Sequence, residues 1–282
     1  MGGDPWGSLD RLITEALAED LGRPPSDATS EAIIDQDATG AAEIRAKAPI
    51  VLAGLEAARR TFRALDPGIA FVERAADGDR LGAGDLVLIV DGTLRAILAA
   101  ERTALNFLQR LSGIATETAR FVESVAGTRA RILDTRKTTP GWRAMEKYAV
   151  RCGGGTNHRM GLHDAILIKD NHIRAAGGVA KALDRAWEAC RKLPVEVEVE
   201  SISALHEALD AGAKRVLLDN MGLDALREAV AVTAGRAQLE ASGGVTLETV
   251  RSVAETGVDF ISVGALTHST PAADLSLEIT RP

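Results

Sequence analysis

The spacing of hydrophobic positions changes character near residue 126. Before that point helical and alternating segments are mixed. In SLDRLITEALAED, the residues Leu9, Leu12, Ile13, Ala16 and Leu17 fall on one helical face. LGRPPSDATSEAIIDQDATG is polar and rich in Pro, Asp and Ser, and reads as a long loop. AAEIRAKAPIVLAG alternates as a strand does. LEAARRTFRAL is helical and is closed by Asp66-Pro67-Gly68, and IAFVERA is strand. DRLGAGDLVLIVDGTLRAILAA reads as two strands joined by a hairpin turn at Asp91-Gly92. A long helix is expected over residues 101–126, with Ala104, Leu108, Leu111, Ala115, Thr118 and Val122 at three- and four-residue spacing. Gly113 inside it is unfavourable by about 1 kcal/mol relative to Ala, so it marks either a close packing contact or a break.

Beyond residue 126 strand and helix alternate. The strands expected are ARILD, AILIK, VEVEV, RVLLD, AQLEA and DFISV. Between them lie the helical patterns GWRAMEKYAVRC, GGVAKALDRAWEAC, ISALHEALDAG, GLDALREAVAVT and TLETVRSVAETG. Repeated βα units build parallel sheets. Six such strands close into an incomplete barrel or lie open in a doubly wound sheet, and periodicity does not choose between them. Asp134, Lys169, Asp219, Ser242 and Gly264 stand at or just past the C-terminal strand ends. In both architectures that edge carries ligands. The tail alternates at Leu275, Leu277 and Ile279, with no helix after it, and reads as an extra strand on the N-terminal sheet.

Composition narrows the function classes. Aromatic residues are 3% of the chain, so packing relies on small and branched aliphatics. A net charge of −7 disfavours nucleic acid and anionic membranes as partners. Two cysteines, Cys152 and Cys190, are too few for a disulfide scaffold. No apolar run reaches the roughly 18 residues of a membrane span. The opening MGGDPWGSLDRL lacks the basic and apolar segments of a signal peptide. A cytoplasmic protein is the expectation.

Against this acidic background one segment is strongly basic: ILDTRKTTPGWRAMEKYAVRCGGGTNHRMGLHDAILIKDNH. Arg143 and Lys147 suit a solvated helix face. Arg136, Lys137 and Lys169 adjoin apolar strand residues, where a cation needs a partner or a polar cleft. Arginine grips carboxylates and phosphates with paired hydrogen bonds, while lysine acts as a point charge. Together they imply a ligand with several negative groups. Gly153-Gly154-Gly155 has neither Walker A nor dinucleotide spacing, and reads as a flexible loop or a close backbone approach to ligand. Glu196, Glu198 and Glu200 share one face of their strand, expected to be the interior, with Lys169 as a candidate partner. Glu198 with Asp219 suits sugar hydroxyls or Mg²⁺, which prefers oxygen ligands. Ser242-Gly243-Gly244 and Gly264, in turns after the last two strands, make a phosphate cradle. The five histidines lack zinc-site spacing. His206 reads as structural, whereas His172 and His268 lie near strand ends.

LDTRKTTPGWRAMEKYAVRCGGGTNHRMGLHDAILIKDNHI, VEVEVES, VLLDNM, LEASGGV, ISVGALTHS and ERTALNFLQRLSGIAT together resemble the quinolinate phosphoribosyltransferase family, also called nicotinate-nucleotide pyrophosphorylase (carboxylating). The resemblance runs from about residue 90 to the tail. It implies an α/β fold: an incomplete α/β barrel of about six parallel strands, residues 111–273, with an N-terminal α+β open-sandwich domain, residues 1–110, joined by the C-terminal strand 274–282. It implies a pentosyltransferase of NAD biosynthesis. Such an enzyme turns quinolinate and phosphoribosyl pyrophosphate, with Mg²⁺, into nicotinate mononucleotide, carbon dioxide and pyrophosphate. Homodimers, or assemblies of dimers, with shared active sites follow from the same likeness. Residue by residue, Arg102 would reach the partner's site. Arg136, His158 and Arg159 would surround the quinolinate carboxylates, with Lys169 beside them, and Lys137 would meet quinolinate or departing pyrophosphate. Glu198 and Asp219 would hold ribose hydroxyls and Mg²⁺, as the catalytic set with Lys137. Ser242, Gly243, Gly264 and His268 would lie at the 5′-phosphate. The rival expectations are a molybdate-locus paralogue and a non-decarboxylating nicotinate phosphoribosyltransferase. A Schiff-base aldolase using Lys169 and a non-catalytic phosphate-binding protein represent other classes.

Overall fold

The computed structural model describes residues 4–190 and 192–281. They divide into two compact units. The first holds residues 1–119, 139–154 and 269–282, and the second residues 120–138 and 155–268. No helix among the described residues is long and apolar enough to cross a membrane.

The first unit opens with α1 (Leu9–Leu21) and α2 (Ala28–Ile33). It continues through β1 (Thr39–Ala46), β2 (Ile50–Val51), α3 (Leu55–Leu65), β3 (Ala70–Glu73), β4 (Arg80–Leu81) and β5 (Leu86–Thr93) into α4 (Leu94–Ser124). The helix α5 (Arg143–Cys152) and the last strand, β12 (Leu275–Arg281), also belong to it. Its sheet has the order β12-β1-β5-β3, with every pair antiparallel. Ile44, Leu88 and Val90 from that sheet, Phe62 from α3, and Ile97, Leu105 and Leu108 from α4 share one buried core.

Three expectations fail here. The stretch after α1 is not a continuous loop: Asp27 accepts the Thr29 and Ser30 amides and starts α2. Asp91-Gly92 is not a hairpin turn. Gly92 lies within the β1–β5 ladder opposite Gly40, and the chain passes from β5 directly into α4. Glycine is required there by proximity, because a Cβ at Gly92 would stand 2.5 Å from Ile69 Cγ1. Lys147 is fully buried rather than on a solvated face. Gly113 does not break α4. A Cβ there would lie 2.2 Å from the Pro271 carbonyl oxygen, so the helix and the segment leading to β12 approach backbone to backbone. Gly153 packs in the same way against the Ala115 carbonyl.

The second unit contains β6 (Arg131–Leu133), β7 (Ile166–Ile168), α6 (Asp170–Ala176), α7 (Val179–Ala189), β8 (Val195–Val199) and α8 (Ile202–Asp210). It continues with β9 (Arg215–Asp219), α9 (Leu223–Thr233), β10 (Gln238–Ser242), α10 (Leu247–Ala254), β11 (Phe260–Ser262) and the short α11 (Ala265–His268). All six expected strands form, pair in parallel, and take the order β6-β11-β10-β9-β8-β7. Strands β7 to β11 advance one neighbour at a time in one direction, and β6, the first, then pairs with β11, the last. A doubly wound sheet reverses direction at a switch point. This sheet never reverses, so it curls into a barrel that stays open between β6 and β7.

One face of the sheet is aliphatic at Ile132, Val197, Val199, Val216, Leu218, Leu239 and Ile261, and the opposite face is ionic where it carries Glu196, Arg215 and Glu240. Arg215 Nε donates to Glu196 Oε1 at 2.9 Å, and its Nη2 donates to Glu240 Oε2 at 2.6 Å. The guanidinium also lies over the Phe260 ring, 4.4 Å from its centre. Burial works against the charged form of Glu196, but the His158 hydrogen bond and Arg215 outweigh it and hold this carboxyl below the usual carboxylate range. Burial, and then repulsion from Glu196, push the Glu240 carboxyl up to about 7.

Two measurements check this packing. Gly113→Ala normally gains about 1 kcal/mol in a helix. Here the forced contact should instead destabilise the chain by about 1–3 kcal/mol, and a Tm equal to or above wild type would disprove the close approach. Glu240 titrates at 4.5 ordinarily and at about 7 in the fold. Its stabilising contribution is therefore complete below about pH 4.5 and lost as pH rises through 7. Glu240→Gln removes that loss, so its Tm relative to wild type should climb between about pH 5 and about pH 8. A pH-independent difference would contradict the assignment.

Candidate active site

Parallel strands present their C-terminal ends on one edge, and that edge of the second unit carries its polar side chains. After β6, Asp134 is fully buried and organises the neighbouring loop. Its carboxylate accepts the His158 amide at 2.9 Å and Asn157 Nδ2 at 2.5 Å. Three residues on, the Lys137 amide donates to Thr135 Oγ1 at 3.0 Å, and its carbonyl accepts Thr267 Oγ1 at 2.7 Å. The second bond ties the loop after β6 to α11. A Cβ at Gly264 would stand 3.2 Å from both Lys137 Cδ and His268 Nε2, so these three residues meet where β6 joins β11.

On the far side, Lys169 follows β7 and donates through Nζ to Glu198 Oε2 at 2.6 Å. Glu196, Glu198 and Glu200 grade from buried through half-buried to exposed along their strand. His172 serves locally: its Nδ1 accepts the Lys169 amide and caps α6. His206 is exposed on α8. Asp219 and Ser242 pair in register across β9 and β10. Asn220 then bridges the two ends, its amide donating to the Ser242 carbonyl at 2.8 Å and its Nδ2 to Asp219 Oδ2 at 2.9 Å. Gly243 has φ +105°, and a Cβ there would lie 2.1 Å from Asn220 Oδ1. With Gly244 at φ +59° it forms a turn that side chains would strain, leading to the capping box of Thr246 at α10. Amides at such a turn and helix start accept anions.

Arg136 and Arg159 supply the cationic part. Arg159 Nη1 donates to the Ala165 carbonyl at 3.2 Å, while Asp164 accepts the Met160 and Gly161 amides and shapes the loop. Burial, and then the charge of Arg136, lower the Arg159 pKa against the pull of Asp164 and Glu196. Two guanidinium groups thus repel one another at the strand ends, and a bound anion would relieve that repulsion. Arg102 lies exposed on α4, in the first unit.

His158 is held through both ring nitrogens. Nδ1 accepts the Arg159 amide at 2.7 Å, and Nε2 lies 3.0 Å from Glu196 Oε2 and 3.5 Å from Glu240 Oε1. Donor atoms of His158, Glu196 and Glu240 lie within 4.8 Å of one another, a spacing that can hold a divalent cation. Arg215 already bonds one oxygen of each carboxylate, however, and an imidazole nitrogen suits transition metals rather than Mg²⁺. Glu198 and Asp219 offer only oxygen donors, at the C-terminal half of neighbouring strands. Sequence reasoning missed Arg215, Glu240 and Asn220. For Asn220 a signal existed: Asp-Asn at the end of a strand, with Asn tolerating the positive φ of 54° found there.

Residues 114–278 match the family model of the quinolinate phosphoribosyl transferase C-terminal domain, and residues 27–112 that of the N-terminal domain. The chain is 42% identical over 273 residues to the probable nicotinate-nucleotide pyrophosphorylase (carboxylating) of Bacillus subtilis, covering 96% of this chain and 93% of that protein. It is 43% identical over 275 residues to the nicotinate-nucleotide pyrophosphorylase (carboxylating) of Mycobacterium leprae, covering 95% of each. The structure of the nicotinate-nucleotide pyrophosphorylase from Francisella tularensis matches with a TM-score of 0.94 at 41% identity, covering 99% of this chain and 98% of that one. With both domain models matched in order and relatives this similar along nearly the whole length, the chain belongs to the quinolinate phosphoribosyltransferase family.

Proposed function

We propose that the chain transfers the phosphoribosyl group of phosphoribosyl pyrophosphate to quinolinate and releases carbon dioxide, forming nicotinate mononucleotide and pyrophosphate for NAD biosynthesis in the cytoplasm. The observation that carries this reading is the Arg136–Arg159 pair. Arg136 follows β6, and Arg159 follows His158, whose amide Asp134 binds at the same strand end; two guanidinium groups from these loops answer a dicarboxylate. Arg102 of a partner subunit would complete that set in a homodimer with shared sites, with Lys169 beside it.

The pyridine nitrogen of quinolinate attacks C1 of the ribose as the bond from C1 to the pyrophosphate oxygen breaks. Positive charge grows on the ribose and negative charge on the leaving group. Lys137, next to Gly264 and His268, would meet the departing pyrophosphate with a fixed cation. Glu198 and Asp219 would hold the ribose hydroxyls and Mg²⁺. When bound, Mg²⁺ neutralises pyrophosphate charge. The amides at Ser242, Gly243 and Gly264 would hold the 5′-phosphate, with His268 at the same end. Transfer leaves a pyridinium nitrogen next to C2. The bond from C2 to its carboxylate then breaks, its electron pair remains on C2 under that positive nitrogen, and a solvent proton replaces the carbon dioxide.

Quinolinate, phosphoribosyl pyrophosphate and Mg²⁺ should yield nicotinate mononucleotide and carbon dioxide, while nicotinate in a parallel reaction should yield nothing. Turnover of nicotinate alone would indicate a non-decarboxylating sister enzyme, and inactivity on both would point to the molybdate-linked paralogue. Lys137→Ala should lower kcat by about 10²–10³-fold, and near-normal turnover would sink its role. Arg159→Ala should raise the KM for quinolinate by about 10–100-fold, the worth of a lost charge-assisted hydrogen bond. An unchanged KM would remove Arg159 from the carboxylate site.

A further inference from the structure

The buried ions of the barrel adjoin the proposed carboxylate site through a single residue. Arg159 donates its amide hydrogen to His158 Nδ1 at 2.7 Å. A nitrogen that accepts a hydrogen bond carries no proton, so the ring proton stands on Nε2. Nε2 faces Glu196 Oε2 at 3.0 Å and Glu240 Oε1 at 3.5 Å. The remaining oxygen of each carboxylate is taken by Arg215, Nε on Glu196 and Nη2 on Glu240. Glu240 is fully buried and Glu196 nearly so. Hydrogen bonds run in a chain from Glu240 through Arg215 and Glu196 to His158, anchored on three adjacent strands and on the loop that carries Arg159, while Glu240 Oε1 faces Nε2 without a hydrogen bond. The backbone of that loop is fixed a second time by Asp134, which accepts the His158 amide.

We propose that Arg215, Glu196 and Glu240 are positioning residues for the phosphoribosyl transfer, which lock His158 with its proton on Nε2 so that Nδ1 holds the Arg159 backbone and aims its guanidinium at the quinolinate carboxylate. His158 then serves the carboxylate site through Arg159, since both of its ring nitrogens are engaged within the protein. The inference rests on the proposed reaction for its kinetic part and on geometry alone for the state of His158.

Two variants separate the clamp from simple packing. Glu196→Gln keeps the volume but offers one acceptor oxygen and one donor amide, so either His158 or Arg215 must face a donor. Arg215→Lys keeps the charge but loses the planar fork that spans two carboxylates. In the full-length protein labelled with ¹⁵N-histidine, wild-type His158 should show a protonated Nε2 and an unprotonated Nδ1, and Glu196→Gln should show mixed tautomers. Both variants should raise the KM for quinolinate about tenfold, leave the KM for phosphoribosyl pyrophosphate within about twofold, and change kcat by less than about threefold, the pattern of lost ground-state binding. Glu196→Asp, which retains both acceptor oxygens, should recover part of the quinolinate KM. A wild-type spectrum with the proton on Nδ1 overturns the proposal. So do variants that lose thermal stability while both KM values stay at wild type. A wild-type chain that forms no product from quinolinate overturns the reaction instead, and the kinetic part with it, while the spectrum still decides the His158 tautomer.

Discussion

The pairing of β6 with β11 is the contact on which the candidate site depends. Parallel strands laid side by side carry their C-terminal ends along one edge, and only neighbouring strands bring their end residues together. Here the first strand of the series binds the last, from Arg131 opposite Phe260 to Leu133 opposite Ser262. Lys137 therefore comes against Gly264 and His268. The bond from Thr267 Oγ1 to the Lys137 carbonyl repeats the closure just above the strands. A cation and a glycine turn from segments about 127 residues apart thus reach one place by short backbone pairings, an arrangement suited to a substrate with charge at more than one point.

Curling the sheet also creates an interior, and that interior is partly ionic. Removing two carboxylates and a guanidinium from water is costly, and an aliphatic filling of equal volume is often as stable or more so. Glu196 and Glu240 keep their place only because Arg215 spans both and His158 faces their other oxygens. Such a network is directional where hydrophobic packing is not. It sets the orientation of an imidazole, and through that imidazole the backbone of Arg159. The same low-dielectric surroundings that make the network expensive also strengthen its hydrogen bonds.

Much of the architecture was legible as periodicity. The six barrel strands and the helices between them appear as alternation of short aliphatic runs with amphipathic segments. Local chemistry misled where tertiary packing overrode it. Asp-Gly flanked by alternating aliphatics is a strong hairpin signal, yet Gly92 is a glycine because Ile69 crowds it from the adjoining segment. Lys147 sits among charged neighbours in sequence, as a solvated face would show, but its side of α5 is inside with Met145 and Val150. At the candidate site, Lys169 was legible as a partner for the face of Glu196, Glu198 and Glu200 because consecutive βα units place them on adjacent strands, and the structure selects Glu198. Arg215 and Glu240 were not. Arg215 lies 19 residues from Glu196 and 25 from Glu240, and only strand register makes them neighbours.

By itself the chain determined its elements, the edge on which its chemistry lies, and a family resemblance resting on many ordered motifs. These are properties of residue type and spacing, which depend on neighbours close in sequence. The tertiary structure decided that the parallel sheet curls rather than lies open, that Gly113 marks a close packing contact rather than a break, and that His158 turns its ring toward buried carboxylates. Each of these is settled by groups distant along the chain that approach within a few ångströms, and hydrophobic periodicity carries no record of which distant groups those are.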